Sequence, residues 1–139
     1  MTGNRPTIGQ IHITVTDLDR AIAFYRDVLG LEHLFTVSGQ PMAFFDAGGV
    51  RFYLGRTEDE RFVSRPTIYY RVEDLDASWA EITTRGAKEI SGPQLVHRDG
   101  STELWMAFVA DPDGIPVGLM QERPPSDGQR DNAAPSRTP

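Results

Sequence analysis

Imidazole and thiol side chains are few in this chain. There are three histidines, His12, His33 and His97, and no cysteine. Thiolate catalysis, thiolate metal sites and disulfides are therefore excluded. His12 lies among aliphatic residues in "IGQIHITV" (Ile8–Val15). An imidazole can ligate a metal, move a proton near neutral pH, or line a pocket. No His-x-His or His-x-x-x-His spacing marks a local metal motif. A displaced metal site from His12, His33, His97 and Glu103 would have to be assembled by the fold.

The elements around His12 have a clear order. Ile8–Val15 alternates, with Ile11, Ile13 and Val15 on one face and Gln10, His12 and Thr14 on the other. Asp17 is placed to cap a helix whose apolar residues, Leu18 to Leu29, recur at helical spacing, and Gly30 stops it. Strands are expected at Leu31–Val37, Met42–Ala47 and Val50–Gly55, and Arg56–Arg65 reads as a charged linker. The order then begins again. Ile68–Val72 is a strand, Asp74 a cap, Leu75–Arg85 a helix ended by Gly86. Strands follow near Lys88–His97, Glu103–Ala110 and Pro116–Gln121, the last two joined by the turn "ADPDG" (Ala110–Gly114). "VTDLDRAIA" (Val15–Ala23) aligns without a gap on "VEDLDASWA" (Val72–Ala80), which supports a duplicated β-α-β-β-β unit.

Two such units, with "DLDRAIAFYRDVLGLE" after the first strand and "FVADPDG" before the last, resemble the vicinal oxygen chelate superfamily. That superfamily includes glyoxalase I, methylmalonyl-CoA epimerase, extradiol dioxygenases and the bleomycin- and fosfomycin-resistance proteins. The resemblance implies an α+β domain over residues 7–123, with tandem βαβββ modules at 7–56 and 66–123. Their strands would form a curved mixed sheet, a cup with the helices on its convex side. The cup is completed within a chain or across a dimer, and a homodimer is expected. The tail, 124–139, has no large apolar residue and reads as disordered.

Metal-using members of the superfamily place four ligands in the cup, from the first and last strand of each module. The first-strand histidine precedes the capping aspartate by seven residues, and that position here is Gln10. The other three positions align with Tyr53, Thr67 and Gly118. Two neutral oxygens, a phenol and a missing side chain are a poor donor set for a divalent metal. No cofactor is expected, and the family metal is not.

Strand parity fills the cup with other groups. Gln10, His12 and Thr14 come from the first strand, Arg51 and Tyr53 from the fourth. Thr67, Tyr69 and Arg71 come from the fifth, Gly118 and Met120 from the last, and Gly118 should widen the pocket. Phe44 and Trp105 are candidates for its wall, Trp105 alternatively for the core. Trp105 shares parity with Glu103, while Leu104, Met106 and Phe108 take the other side. Glu103 is either a pocket acid or a solvated edge residue. Arg51 and Arg71 either face the ligand or pair at the rim with acids such as Glu73. His97, before the turn "RDGS" (Arg98–Ser101), is exposed or reaches over the cup, and His33 is superficial. Such a cup suits a planar aromatic or acidic molecule.

The net charge of -6 argues against nucleic acid and an anionic membrane surface. No apolar run is long enough to span a bilayer and no signal peptide is visible, so a cytoplasmic protein is expected. Two readings of function follow. One is a metal-free binder of a small organic molecule. The other is a metal-independent lyase, isomerase or epimerase with His12 as acid or base, helped by Tyr53 or Tyr69. A divergent metal-dependent glyoxalase or dioxygenase is a third.

Overall fold

The structure, a computed structural model, describes residues 5–125. Most of the tail expected to be disordered lies outside the described residues. The chain divides into two compact units, Met1–Pro66 and Thr67–Pro139. Both show the βαβββ order, and each has its own four-stranded mixed sheet. This is the tandem βαβββ fold expected from sequence, with the mixed sheet formed as one sheet per module, whose strand ladders stay within the module.

In the first unit, β1 (Gln10–Thr14) leads to α1 (Leu18–Ala23), then to β2 (Glu32–Thr36), β3 (Met42–Ala47) and β4 (Val50–Gly55). The strand order is β1-β4-β3-β2, with β1 and β4 parallel. Asp17 caps α1 by accepting from the Arg20 N–H at 3.1 Å. The expected single helix is not uniform: Phe24–Val28 is a π-helical turn, in which the Leu29 N–H reaches Phe24 O. Tyr25, buried there, meets Phe52 and Phe45 edge-on at 5.6 and 6.5 Å. Those two rings stack at 5.4 Å, so the helix side of the sheet is an aromatic core. Arg56–Arg65 belongs to this unit rather than standing between modules. Ser64 O accepts from the Thr14 N–H at 2.7 Å, and the Ser64 N–H donates back to Thr14 Oγ1 at 2.8 Å. This covers the outer edge of β1.

The second unit repeats the plan with β5 (Tyr69–Arg71), α2 (Leu75–Thr84), β6 (Lys88–Arg98), β7 (Glu103–Ala110) and β8 (Pro116–Arg123), in the order β5-β8-β7-β6. Asp74 caps α2 through the Ala77 N–H. Gln121 ties the helix start to β8, accepting from the Leu75 N–H and donating to Glu73 O. Leu75 and Ile82 pack with Ala107, Val109, Val117 and Leu119 in the core. The ADPDG turn forms as expected: Asp111 accepts from the Asp113 and Ile115 N–H groups, and Gly114 takes φ 83°.

The helix side of this second sheet also carries a charged network. Glu103, 3% exposed, accepts from Arg98 Nε at 3.1 Å and from the Trp105 indole at 3.0 Å. Arg123 lies 4.3 Å over the Trp105 ring and reaches Asp76 at 3.2 Å. Removing one partner of a buried ion pair leaves the other charge desolvated. Glu103→Ala should therefore cost about 3–5 kcal/mol, read from urea unfolding of the full chain. Glu103→Gln keeps an acceptor for the indole and should cost less. An unchanged midpoint for the alanine variant would make this network incidental.

Candidate functional site

Each sheet has a face turned away from its helix, and the register between first and last strands decides what stands there. In the first unit Gln10 pairs with Arg51, His12 with Tyr53 and Thr14 with Gly55. The His12 and Tyr53 rings stack at 4.5 Å with 14° between their planes. Tyr53 stacks in turn on Phe44 at 5.1 Å, and Phe44 on Phe35 at 4.8 Å. These separations match the spacing of neighbouring strands, about 4.7–4.9 Å. The four rings, one from each strand, therefore stand side by side as a row crossing the whole sheet. Arg51 lies 5.7 Å over Phe44. His12 and Tyr53 are half-buried, Phe44 is buried, and Phe35 at the far end is 46% exposed.

In the second unit the equivalent pair is Tyr69 and Gly118. A Cβ built on Gly118 would lie 2.6 Å from Tyr69 Cδ2 and 3.0 Å from Cε2. The Tyr69 ring thus occupies the space that the missing side chain leaves, and the glycine does not widen the face as expected. Phe108, opposite Gly118, meets Tyr69 edge-on at 5.6 Å. The next row holds Arg71, Met120 and Met106. Arg71 is paired with Glu122 at 3.0 Å, not with Glu73. His97 is exposed, in register with Leu104, and lies 3.8 Å from Asp99.

The expectation for Glu103 needs correction, and for Trp105 the core alternative holds. Trp105 and Glu103 do not stand with Tyr69 and Gly118. The β7–β8 register puts Phe108 on that face and Trp105, three residues away, on the helix side. Glu103 is neither an open-face acid nor a solvated edge residue, because its carboxylate is buried against Arg98 and Trp105. His33 is also on its helix side, edge-on to Phe45 at 5.2 Å. It therefore faces away from His12, whose row runs through the adjacent Phe44. Phe35 was missed, since a bulge after His33 brings it opposite Phe44. Met106 and Phe108 were also missed as members of the open face.

The four family ligand positions can now be weighed as donors. Gln10 is an exposed amide at the start of β1, Tyr53 is a phenol inside the ring row, and Thr67 is an exposed hydroxyl just before β5. Gly118 offers nothing, and Tyr69 blocks the space a longer side chain would need. This set does not fit a divalent metal that orients or activates a substrate. Among the described residues no three His, Asp or Glu side chains cluster as a metal site. On the helix side of β5, burial, with the Asp111 carboxylate second, pushes the Tyr70 phenol well above the usual range.

The model of the glyoxalase/bleomycin resistance protein/dioxygenase superfamily matches residues 7–119. The chain belongs to this superfamily. Among its relatives, a virulence protein of Salmonella typhimurium (strain LT2) is 27% identical over 121 residues, covering 82% of this chain and 83% of that protein. A "Probable lactoylglutathione lyase" of Vibrio parahaemolyticus is 29% identical over 130 residues, covering 84% and 91%. Among solved structures, the antibiotic-binding protein TnmS3 of Streptomyces sp. CB03234 superposes with a TM-score of 0.64 at 19% identity. The match covers 88% of this chain and 98% of that one, and at this identity it speaks for the fold. The superfamily spans several chemistries on one fold, so function has to be argued from the faces.

The Tyr69–Gly118 contact gives a direct test of this face. Gly118→Ala forces the Tyr69 ring aside and should destabilise the chain by about 1–3 kcal/mol. Adding Tyr69→Ala should recover part of that loss, because the clash disappears with the ring. Thermal unfolding of the single and double variants reads this coupling. Strict additivity would mean that the two residues do not touch.

Proposed function

We propose that this protein binds a small planar organic molecule against the ring row of its first module, without the metal site of its superfamily. The stack His12–Tyr53–Phe44–Phe35 is the observation that carries this reading. A planar ligand lying across standing rings meets their edges, the positive rim of each quadrupole, with its own π face. Gln10 and Arg51 flank the row with polar groups that can orient an acidic or phenolic substituent. The unsuitable donor set at the four family positions supports independence from metal. The fold of TnmS3, an antibiotic-binding protein, is consistent with a binder. The reading includes a cytoplasmic location and, as the superfamily resemblance suggests, a homodimer, which sedimentation velocity would test.

One observation favours a second reading. The His12 imidazole makes no hydrogen bond among the described residues, so its nitrogens are free to exchange a proton with a ligand. A metal-independent lyase, isomerase or epimerase would use His12 as the acid or base, with Tyr53 stacked on it. The relative called a probable lactoylglutathione lyase makes such chemistry worth testing.

Calorimetric titration of the EDTA-dialysed full chain with a panel of planar aromatic acids and phenols is the test. Binding should survive dialysis. Tyr53→Ala and Phe35→Ala should each weaken it by about tenfold. His12→Ala separates the readings: weaker binding fits the binder, whereas retained affinity with lost turnover fits the catalyst. Binding that appears only on adding a divalent metal, or none across the panel, would overturn the proposal.

A further inference from the structure

The segment after β4 forms, with the carboxyl end of β1, a cleft of about 580 Å³ in the first unit. Thr14, Pro41, Arg56, Glu58, Val63 and Arg65 are among its lining residues. The two arginines differ from most others in the chain. Arg26, Arg61, Arg71, Arg85, Arg98 and Arg123 each have a carboxylate partner, and Arg51 lies over Phe44. Arg56 and Arg65 have no ion pair and no side-chain hydrogen bond among the described residues, although Glu58 lines the same cleft. Thr14 is an independent observation. It is 5% exposed, and its hydroxyl accepts from the Ser64 N–H at 2.8 Å. A hydroxyl also has one hydrogen to give. Among the described residues no acceptor takes it. Two uncommitted guanidinium groups and a buried, unspent donor thus line one cavity.

We propose that this cleft is an anion subsite that takes the carboxylate or phosphate group of a small molecule. Arg56 and Arg65 supply the charge, and Thr14 supplies a hydrogen bond from a buried position, where it is worth more than at the surface. The cleft is far larger than a bare ion, and Pro41 and Val63 give an apolar wall for the organic body that carries the anion. Glu58 opposes the anion and limits which ones enter. The inference stands on the cleft alone and does not depend on the ring row.

Amide and guanidinium NMR signals of the full chain, followed while inorganic phosphate and, separately, acetate are added at constant ionic strength set with chloride, test it. Saturable shifts should centre on Thr14, Arg56 and Arg65. The double variant Arg56→Gln/Arg65→Gln should weaken binding by about tenfold or more. Glu58→Gln should strengthen it, and Thr14→Ser should retain it where Thr14→Val loses it. Tighter binding of phosphate than acetate identifies a phosphate ligand; the reverse order identifies a carboxylate. Shifts reproduced by chloride alone, or unchanged affinity in the double arginine variant, would sink the proposal.

Discussion

In both modules the first strand, which must reach a capping aspartate before its helix, is hydrogen-bonded in parallel to the last strand. That register fixes which side chains stand together on the face away from the helix. It sets His12 beside Tyr53 and Tyr69 beside Gly118. A shift by one residue would exchange every open-face group for a core group. In the first module such a slip of β1 would bring Ile13, buried in the core, to the open face, and the cost of exposing it holds the register in place. The chemistry of the open face is therefore held by the packing of the opposite one.

The two modules solve the same pairing differently. His12 and Tyr53 are two flat rings, and neighbouring strands hold them at stacking distance. Tyr69 and Gly118 are a large ring and no side chain, and the ring lies down over the gap. Both solutions consume positions where metal-using relatives would need charged donors, but for different physical reasons. In the first module a phenol is built into a row of rings. In the second the volume is filled. Restoring a donor at Gly118 would require moving Tyr69 as well, so the two positions are coupled.

Much of this was legible in the sequence. Capping aspartates, glycine stops and alternation gave the βαβββ order in both modules, and the gapless match of "VTDLDRAIA" with "VEDLDASWA" gave the duplication. Parity correctly brought Gln10, His12, Arg51 and Tyr53 to one face. Glu103 fits neither of its two readings and Trp105 takes the core one, although a signal for both was present. The tight ADPDG turn fixes the β7–β8 register, which pairs Gly118 with Phe108 and so sends Trp105 to the other side. Phe35 was not legible, because the bulge that turns it toward Phe44 has no glycine or proline to mark it. The Arg56–Arg65 segment read as a charged linker because charge alone does not reveal which charges find partners.

That last distinction decides where function is to be sought. An exposed ion pair contributes little stability, and a buried one is no guarantee of function. The network of Arg98, Glu103, Trp105, Arg123 and Asp76 is extensive, but each of these groups has a partner among the others, and together they hold strands and helix in place. It is a framework and offers little to a ligand. Among the groups that fold and packing leave uncommitted in the described residues are the His12 nitrogens, the guanidinium groups of Arg56 and Arg65, and the Thr14 hydroxyl hydrogen. His12 and Thr14 are alternate residues of β1 and so share its face. A chain with a net charge of -6 has ample carboxylates to neutralise two arginines. That it leaves them unpaired beside a buried donor is what a site awaiting an anion requires.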